Sequence, residues 1–134
     1  TMIRTGEGAG ITGVIMNQQT VDIFNPKTIR ATMGSIFRVP FVYVPELSTV
    51  LTQMHERGIH TYAAHLKGQK YYDSFSFREP TAFLIGNEGN GLTKEISDQA
   101  GQYLKIPMEG KVESLNASIA AALLMYEAHR QRNL

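Results

Sequence analysis

The sequence predicts an α/β domain with a mainly parallel sheet and helices on both faces. Three observations carry this prediction: short apolar runs alternate with amphipathic segments, Pro and Gly mark the boundaries, and the composition is globular. Hydrophobic residues make up 43% of the 134 residues and charged residues 19%, which excludes a disordered tail or a collagen-like rod. The length fits one domain, so we expect residues 1–134 to form a single catalytic or binding domain.

The predicted strands are short runs rich in β-branched, aromatic and other apolar side chains. They cover residues 11–16, 41–44, 59–64, 81–85 and 103–106. The run at 41–44 follows Pro40 and contains only β-forming residues, so we expect that strand to be buried.

The predicted helices lie between these strands. Asn25 and Pro26 form an N-cap followed by Pro at the first helical position, which predicts a helix over residues 27–37. Pro45 and Glu46 open the next helix, and Gly58 ends it. One face of that helix is apolar at i, i+3, i+4 and i+7: Leu47, Val50, Leu51 and Met54.

Two more helices are expected in the second half, over residues 92–100 and from Ser114 to about Arg132. Ser114 is a natural N-cap for the last helix. Its predicted core-facing side chains are Leu115, Ile119, Ala122, Leu123 and Tyr126.

Ligands of parallel α/β sheets bind beyond the carboxyl ends of the strands. That rule singles out the loops at residues 65–79, 86–91 and 107–113. In the second loop, Gly86 and Gly91 have the spacing of a phosphate-binding loop, but Leu92 and Thr93 replace its Lys-Ser/Thr pair, so we reject that assignment. Glu88 within the loop suits a cationic ligand or a hydroxyl donor better than a phosphate.

Two further patterns carry no function of their own. The literal G-x-G-x-x-G at residues 8–13 precedes a strand instead of following one, so it does not predict a dinucleotide site. The four histidines are His55, His60, His65 and His129, and their spacing predicts no metal site. The chain has no cysteine, which excludes thiol catalysis, disulfides and zinc–thiolate centres.

The formal net charge is +1, so bulk electrostatics gives no support for nucleic-acid binding. Residues 1–70 hold seven basic and four acidic side chains, whereas residues 71–134 hold six basic and eight acidic ones, so the first half leaves room for a local basic face. The longest apolar run, residues 119–126, is far shorter than the roughly 20 residues of a membrane span. We therefore expect no membrane association.

Three segments in the second half nevertheless resemble a known family. Residues 83–92 read FLIGNEGNGL, residues 106–110 read IPMEG, and residues 113–118 read ESLNAS. In order and separation they resemble the second and third motifs of the SpoU (TrmH-like) family of RNA ribose 2′-O-methyltransferases, in the SPOUT superfamily. Residues 2–5 resemble the end of the first motif, and residues 26–35 the family's middle segment.

The resemblance implies a C-terminal trefoil knot, bound S-adenosyl-L-methionine, a homodimer and an RNA substrate, rRNA or tRNA, in the cytoplasm. The implied catalytic residues are Arg4, Glu88, Ser114 and Asn116. The implied cofactor-binding residues are His65, Leu66, Gly86, Asn87, Gly91, Ile106, Met108 and Leu115. The implied RNA contacts are Arg4, Lys27, Arg30 and Arg38.

In this family an Asn stands six residues before the first-motif Arg. Counted back from Arg4, the position of that Asn falls ahead of Thr1. We therefore expect the first strand and any N-terminal RNA-binding domain to lie outside the 134 residues. Two alternatives remain open at this point: a non-catalytic RNA-binding or assembly module on the same fold, and an unrelated nucleotide-binding α/β protein.

Overall fold

A computed structural model describes residues 1–18, 22–87 and 91–134. The chain divides into two compact units, Thr1–Leu47 and Ser48–Leu134. Every strand pairing described within them is parallel, which confirms the α/β class. The strands belong to a two-stranded and a three-stranded sheet in the described residues.

The first unit contains two short strands, two α-helices and a turn of 3₁₀ helix. In chain order these are α1 (Met2–Ala9), β1 (Val14–Met16), α2 (Pro26–Ala31), the 3₁₀ helix Ser35–Phe37 and β2 (Phe41–Tyr43). A small apolar core of Met16, Ile23 and Ile36 holds them together, with Ile3, Val14, Ile29 and Phe41 packed around it.

The helix expected over residues 27–37 is broken in two. Its start is confirmed, because Asn25 Oδ1 accepts a hydrogen bond of 2.9 Å from the backbone N–H of Lys27. Met33 and Gly34 then both adopt left-handed conformations, with φ of 52° and 89°. Two consecutive positive φ angles cannot continue a right-handed helix, so the chain restarts as the 3₁₀ helix.

The strands of the first unit are shorter and more exposed than expected. The predicted strand 11–16 is paired only over Val14–Met16. The prediction of a buried strand at 41–44 is wrong: Val42 and Tyr43 of β2 are exposed. Composition alone suggested burial, but β2 pairs only with β1 in the described residues and is not covered on both faces.

The second unit contains the three-stranded sheet, in the order β4-β3-β5. Its elements are α3 (Leu47–Glu56, starting on the last residue of the first unit), β3 (His60–Ala64), a 3₁₀ turn (Tyr72–Ser74), β4 (Thr81–Leu84), α4 (Lys94–Gln99), β5 (Gln102–Leu104) and α5 (Ala117–Arg132). Tyr62, Phe77, Leu104 and Leu124 form its buried core. Tyr72 and Phe75 pack against this core, so three of the four aromatic side chains of residues 71–79 hold that loop on the sheet, whereas Tyr71 is exposed.

Helix α3 follows the sequence prediction. Leu51 is buried, and Leu47, Val50 and Met54 are half-buried, as their spacing indicates. Gly58 adopts φ 75° just after the helix, where only glycine is unstrained.

Helix α5 presents a different face to the core from the one predicted. Ala121, Leu124 and Met125 are buried, whereas most of the expected core side chains are exposed: Leu115, Ile119, Leu123 and Tyr126. Only Ala122 of the predicted face is half-buried. The reason is that residues 119–126 are apolar on every side of the helix, so spacing alone cannot select the packed face.

Candidate functional site

The carboxyl ends of the three paired strands of the second unit lie side by side. Ala63 is in register with Leu84 of β4, and Ala64 with Leu104 of β5. Because the strands are parallel, the loops that follow them leave the sheet at one edge. The structure thus brings His65, Gly86 and Ile106, each one or two residues beyond a strand, to the same edge of the sheet.

The loop after β4 folds back on itself at Gly86. A Cβ atom added to Gly86 would lie 2.5 Å from both the carbonyl carbon of Gly91 and the nitrogen of Leu92. Both contacts are backbone atoms, so no side chain fits at this position without moving the loop. The turn is closed by a hydrogen bond of 2.7 Å from the Gly91 N–H to the Asn87 carbonyl. Glu88, predicted to be catalytic, lies outside the described residues.

The loop after β3 starts with a strongly constrained histidine. The His65 ring stacks on Tyr103 with ring centroids 4.5 Å apart, and His65 Nδ1 accepts a hydrogen bond from the Lys67 backbone N–H. The neutral ring therefore carries its proton on Nε2. The His65 N–H also donates to the Leu104 carbonyl, which ties this loop to β5. Leu66, by contrast, is exposed.

The loop after β5 is anchored before it reaches the remaining cofactor candidates. Lys105 bonds through its backbone to Lys70 and Tyr72, and Ile106 packs against the core of the second unit. Met108 is half-buried and Leu115 is exposed. These contacts fix the start of the loop at the sheet edge that carries His65 and Gly86.

A cavity of about 230 Å³ lies beside this edge. It is lined by His65, Lys67, Leu92, Lys94, Ser97, Asp98 and Tyr103. It shares only His65 with the predicted cofactor residues, so the sequence did not identify it. Tyr103 donates a hydrogen bond to Asp98, and partial burial followed by this carboxylate raises the pKa of Tyr103. Side chains alternate between the two faces of a strand, and this alternation along β5 was the sequence signal that could have identified Tyr103 as a residue of the cavity.

The segment before α5 corrects one prediction and gives Asn116 a defined contact. Helix α5 begins at Ala117, and its N-cap is Asn116, not Ser114. Asn116 Oδ1 accepts hydrogen bonds from the backbone N–H groups of Ser118 and Ile119, at 2.9 and 3.2 Å. Ser and Asn are both good N-caps, and Asn116, two residues after Ser114, is the one that accepts the hydrogen bonds. Ser114 lies in the exposed segment ahead of the helix.

The predicted RNA-contacting residues all lie in the first unit. Arg4 is exposed on α1, and Lys27 and Arg30 are exposed on α2. Arg38 forms a two-point ion pair with Glu7, through Nε and Nη2. The hydrogen bond from Arg38, then that from the Ser35 hydroxyl, holds the pKa of Glu7 below its usual value. Part of the Arg38 charge is thus balanced within the protein.

The residues that the structure describes contain no group of three or more His, Cys, Asp or Glu side chains arranged to hold a metal ion. They also contain no helix long and apolar enough to cross a membrane.

Comparison with known proteins identifies the class to which this fold and its motifs belong. The model of the SpoU rRNA methylase family matches residues 1–126. The chain belongs to this family, and the resemblance drawn from the motifs is confirmed.

Curated relatives extend the comparison. The chain is 34% identical over 133 residues to a "putative TrmH family tRNA/rRNA methyltransferase" of Staphylococcus haemolyticus, covering 99% of this chain and 53% of the relative. It is 35% identical over 126 residues to the 23S rRNA (guanosine(2553)-2'-O)-methyltransferase RlmP of Bacillus subtilis, covering 94% and 50%. The chain thus spans about half the length of the curated relatives it matches.

Solved structures agree with the fold. The SpoU methyltransferase AviRb of Streptomyces viridochromogenes, in complex with AdoMet, superposes with a TM-score of 0.91 at 34% identity, covering 98% of this chain and 54% of that one. An AdoMet-bound rRNA methyltransferase of Sinorhizobium meliloti gives 0.88 at 35% identity, covering 97% and 50%. The α/β fold described above is therefore the fold of these methyltransferases.

Proposed function

We propose that the protein transfers a methyl group from S-adenosyl-L-methionine to a ribose 2′-hydroxyl of rRNA or tRNA. The observation that carries this proposal is the family match over residues 1–126, together with the AdoMet-bound relatives at 34–35% identity. We place the reaction in the cytoplasm, the compartment that the family resemblance implies.

The cofactor site we propose is the edge where the loops after β3, β4 and β5 leave the sheet. When bound, S-adenosyl-L-methionine supplies an electrophilic methyl on a sulfonium. The close approach of Gly86 to the Gly91–Leu92 backbone requires glycine at this position and fixes the path of the loop that we place against the cofactor. Asn87, Gly91, Ile106, Met108 and Leu115 complete this proposed site, with backbone groups near His65 and Leu66 around the adenine.

The trefoil knot expected from the resemblance forms part of the same proposal. In it, the segment that joins β5 to α5 passes through a loop of the chain, as in the rare exceptions to unknotted topology. The anchoring of this segment at Lys105 and the capped start of α5 support a fixed path for its two ends.

The chemistry requires the ribose 2′-oxygen to form a bond to the methyl carbon as the sulfur–methyl bond breaks, which would leave a neutral thioether, and to release its proton to solvent. Arg4 is the residue we place beside that oxygen. Because a guanidinium stays protonated in nearly every environment, its simplest role is to lower the pKa of the hydroxyl or to hold an adjacent phosphate. Glu88, Ser114 and Asn116 orient the hydroxyl, Arg4 and the cofactor carboxylate, and positioning of this kind contributes up to about 7–11 kcal/mol in favourable cases.

We further propose that the protein acts as a homodimer through the exposed face of α5. Ile119, Leu123 and Tyr126 lie at i, i+4 and i+7 and are 53%, 37% and 46% exposed. A stripe of this kind is self-complementary, so two copies related by a two-fold axis can cover each other's apolar side chains. Leu123→Asp should therefore lower the sedimentation coefficient from the value of a dimer to that of a monomer. The ion pair between Glu127 and Arg130 on the same helix should remain intact in this variant.

Calorimetry with S-adenosyl-L-methionine tests the catalytic proposal against its alternative. Binding that releases heat with one site per chain supports the methyltransferase. A protein that binds RNA but shows no heat of binding with the cofactor would be the non-catalytic module instead.

A further inference from the structure

The 3₁₀ helix of the first unit and the turn that leads into it expose two large apolar side chains. Phe37 is 85% exposed and Met33 is 67% exposed, while Ser35 and Ile36 between them are buried. Isolated exposed apolar residues are common and need no explanation. This pair differs because it lies on a turn that the rest of the unit holds in one conformation.

That turn is fixed by contacts on both sides. Thr32 is buried and its hydroxyl donates to the Ile29 carbonyl. The Arg38 side chain lies against Gly34, where an added Cβ would be 3.2 Å from Nη1. Met33 keeps a left-handed φ of 52°, a conformation that is costly for a residue with a side chain and concentrates at functional sites.

The turn is attached to the helix that carries Arg4. Glu7 of α1 accepts hydrogen bonds from the Ser35 hydroxyl at 2.9 Å and from the Arg38 guanidinium. Arg4 and Glu7 are three residues apart on α1 and so share one face of that helix. Phe37 therefore stands next to Arg38, on an element packed against the side of α1 that bears Arg4.

A flat exposed ring on a unit that also carries exposed cationic side chains has the chemistry of a nucleobase-stacking site. Proteins that recognise unpaired RNA stack its bases on aromatic rings and guanidinium planes while cationic side chains contact the phosphates. Here the ring is Phe37, and the exposed cations of the same unit are Arg4, Lys27, Arg30 and Arg38, the last of them paired with Glu7. A purely hydrophobic protein partner would not match the charges of Arg4, Lys27 and Arg30.

We infer that Phe37 is a stacking site for an unpaired base of the RNA substrate, with Met33 at its edge. This inference rests on the proposed function and deepens it: the RNA presents a single-stranded loop or bulge to the first unit, not a continuous duplex. Phe37 is then a specificity-determining residue that contacts the substrate away from the reacting atoms.

The test is the binding of a short single-stranded RNA that contains 2-aminopurine, measured without cofactor. Stacking on Phe37 quenches the fluorescence of this base. Phe37→Ala should remove the quenching and weaken binding about tenfold or more, while Phe37→Trp retains both. Phe24→Ala is the matched control, because Phe24 is also exposed in the first unit but packs edge-on against Phe41. It should bind and quench like the unaltered protein.

A methylation assay on total ribosomal and transfer RNA separates this inference from the proposed function. With both correct, Phe37→Ala raises KM for RNA and leaves kcat near its original value. If the protein methylates RNA but Phe37→Ala changes neither quenching nor KM, the stacking inference is overturned and the proposed function stands. If the protein never methylates RNA, the proposed function fails whatever the quenching shows. Conversion of a dimer to a monomer by Phe37→Ala would also overturn the inference, because a second copy would then cover the ring.

Discussion

Asn116 has a structural contact in addition to its proposed catalytic role. Its side-chain oxygen caps α5 by accepting two backbone N–H bonds. We predict that Asn116→Ala lowers the free energy of unfolding by about 1 kcal/mol, the usual cost of losing such a cap, and also sharply lowers methyl transfer. Chemical denaturation and a turnover assay measure the two effects.

Asn116→Ser separates these two effects. A serine hydroxyl caps a helix about as well as asparagine, so this variant should recover most of the stability while activity stays low. Recovery of activity together with stability would show that Asn116 acts only through the helix end.

Gly86 provides a prediction for cofactor binding. We expect Gly86→Ala to abolish the heat of S-adenosyl-L-methionine binding in calorimetry, because its Cβ would lie 2.5 Å from backbone atoms of Gly91 and Leu92. The control is Gly10→Ala, whose left-handed φ of 84° makes any side chain strained but whose surroundings are open. Gly10→Ala should lose stability and keep cofactor binding; equal loss of binding in both variants would contradict the proposed site.

Among single residues, the sequence predicted best where one local interaction decides the structure. The Asn25 cap depends on one side-chain oxygen and the Gly58 stop on one backbone conformation, and both are found where expected. Ser114 and Asn116 are equally good caps two residues apart, so only packing of the following helix could choose between them. Phe37 was missed because an aromatic residue in a helical pattern normally indicates core.

At the scale of elements, the C-terminal end of α5 is attached to the loop before β4. Gln131 is buried, accepts a hydrogen bond of 2.6 Å from the Phe77 N–H and donates one to the Phe75 carbonyl. Arg132 donates to the carbonyls of Phe77 and Glu79. Side chains of the last helical turn thus form hydrogen bonds with backbone groups of this loop. In a regular strand or helix, other backbone groups would form those hydrogen bonds.

This attachment predicts the effect of Gln131→Leu. The variant keeps the approximate volume but leaves the Phe77 N–H without its partner, which costs about 1–3 kcal/mol for a buried group. Denaturant unfolding should show that loss. The neighbouring exposed substitution Asn133→Ala should change stability much less, and equal effects would contradict the assignment.

Glu127 should make the stability of the same helix end depend on pH. Its side chain is 9% exposed and pairs with Arg130 at 2.7 Å. The bond from Arg130 outweighs the opposing effect of burial, and together with the bond from Gln131 it holds the pKa of Glu127 below its ordinary value of 4.5. A lowered folded-state pKa stabilises the protein above the unfolded pKa, and this stabilisation is lost as the pH falls through the folded pKa.

We therefore expect the free energy of unfolding to decrease as the pH falls below about 4.5, and Glu127→Gln to flatten part of that decrease. Glu7 contributes in the same direction through Arg38 and Ser35, so some acid dependence should persist in the variant. An unchanged pH profile in Glu127→Gln would show that the Arg130 pair has no influence on stability.

The order of elements was predictable from alternating apolar runs, whereas the packed face of α5 was not. Strand and helix positions follow from local periodicity, and most ends lie within a few residues of those expected. Which face of α5 is packed depends on the elements that surround the helix, and the tertiary structure, not the local sequence, determines these. The exposed stripe of Ile119, Leu123 and Tyr126 has the spacing of a core face, which is why we assign it to a second copy.

At the scale of the whole molecule, the candidate residues are divided between the two compact units. Arg4 and the other RNA-contacting candidates belong to Thr1–Leu47, and the cofactor candidates belong to Ser48–Leu134. Family segments were recognisable from sequence in both units, but the sequence predicted one domain over residues 1–134 and no boundary near Leu47. The arrangement of the two units and of two copies is a property that local sequence patterns do not encode.

The central claim is that this chain carries the catalytic domain of an RNA 2′-O-methyltransferase. Its most direct test is mass spectrometry of nucleosides from ribosomal and transfer RNA incubated with the purified protein and S-adenosyl-L-methionine carrying a deuterated methyl group. We predict a nucleoside with the heavy methyl on its ribose 2′-oxygen, absent when Arg4→Ala replaces the unaltered protein. A heavy methyl found only on a base, or on no nucleoside of either RNA class, would contradict the account.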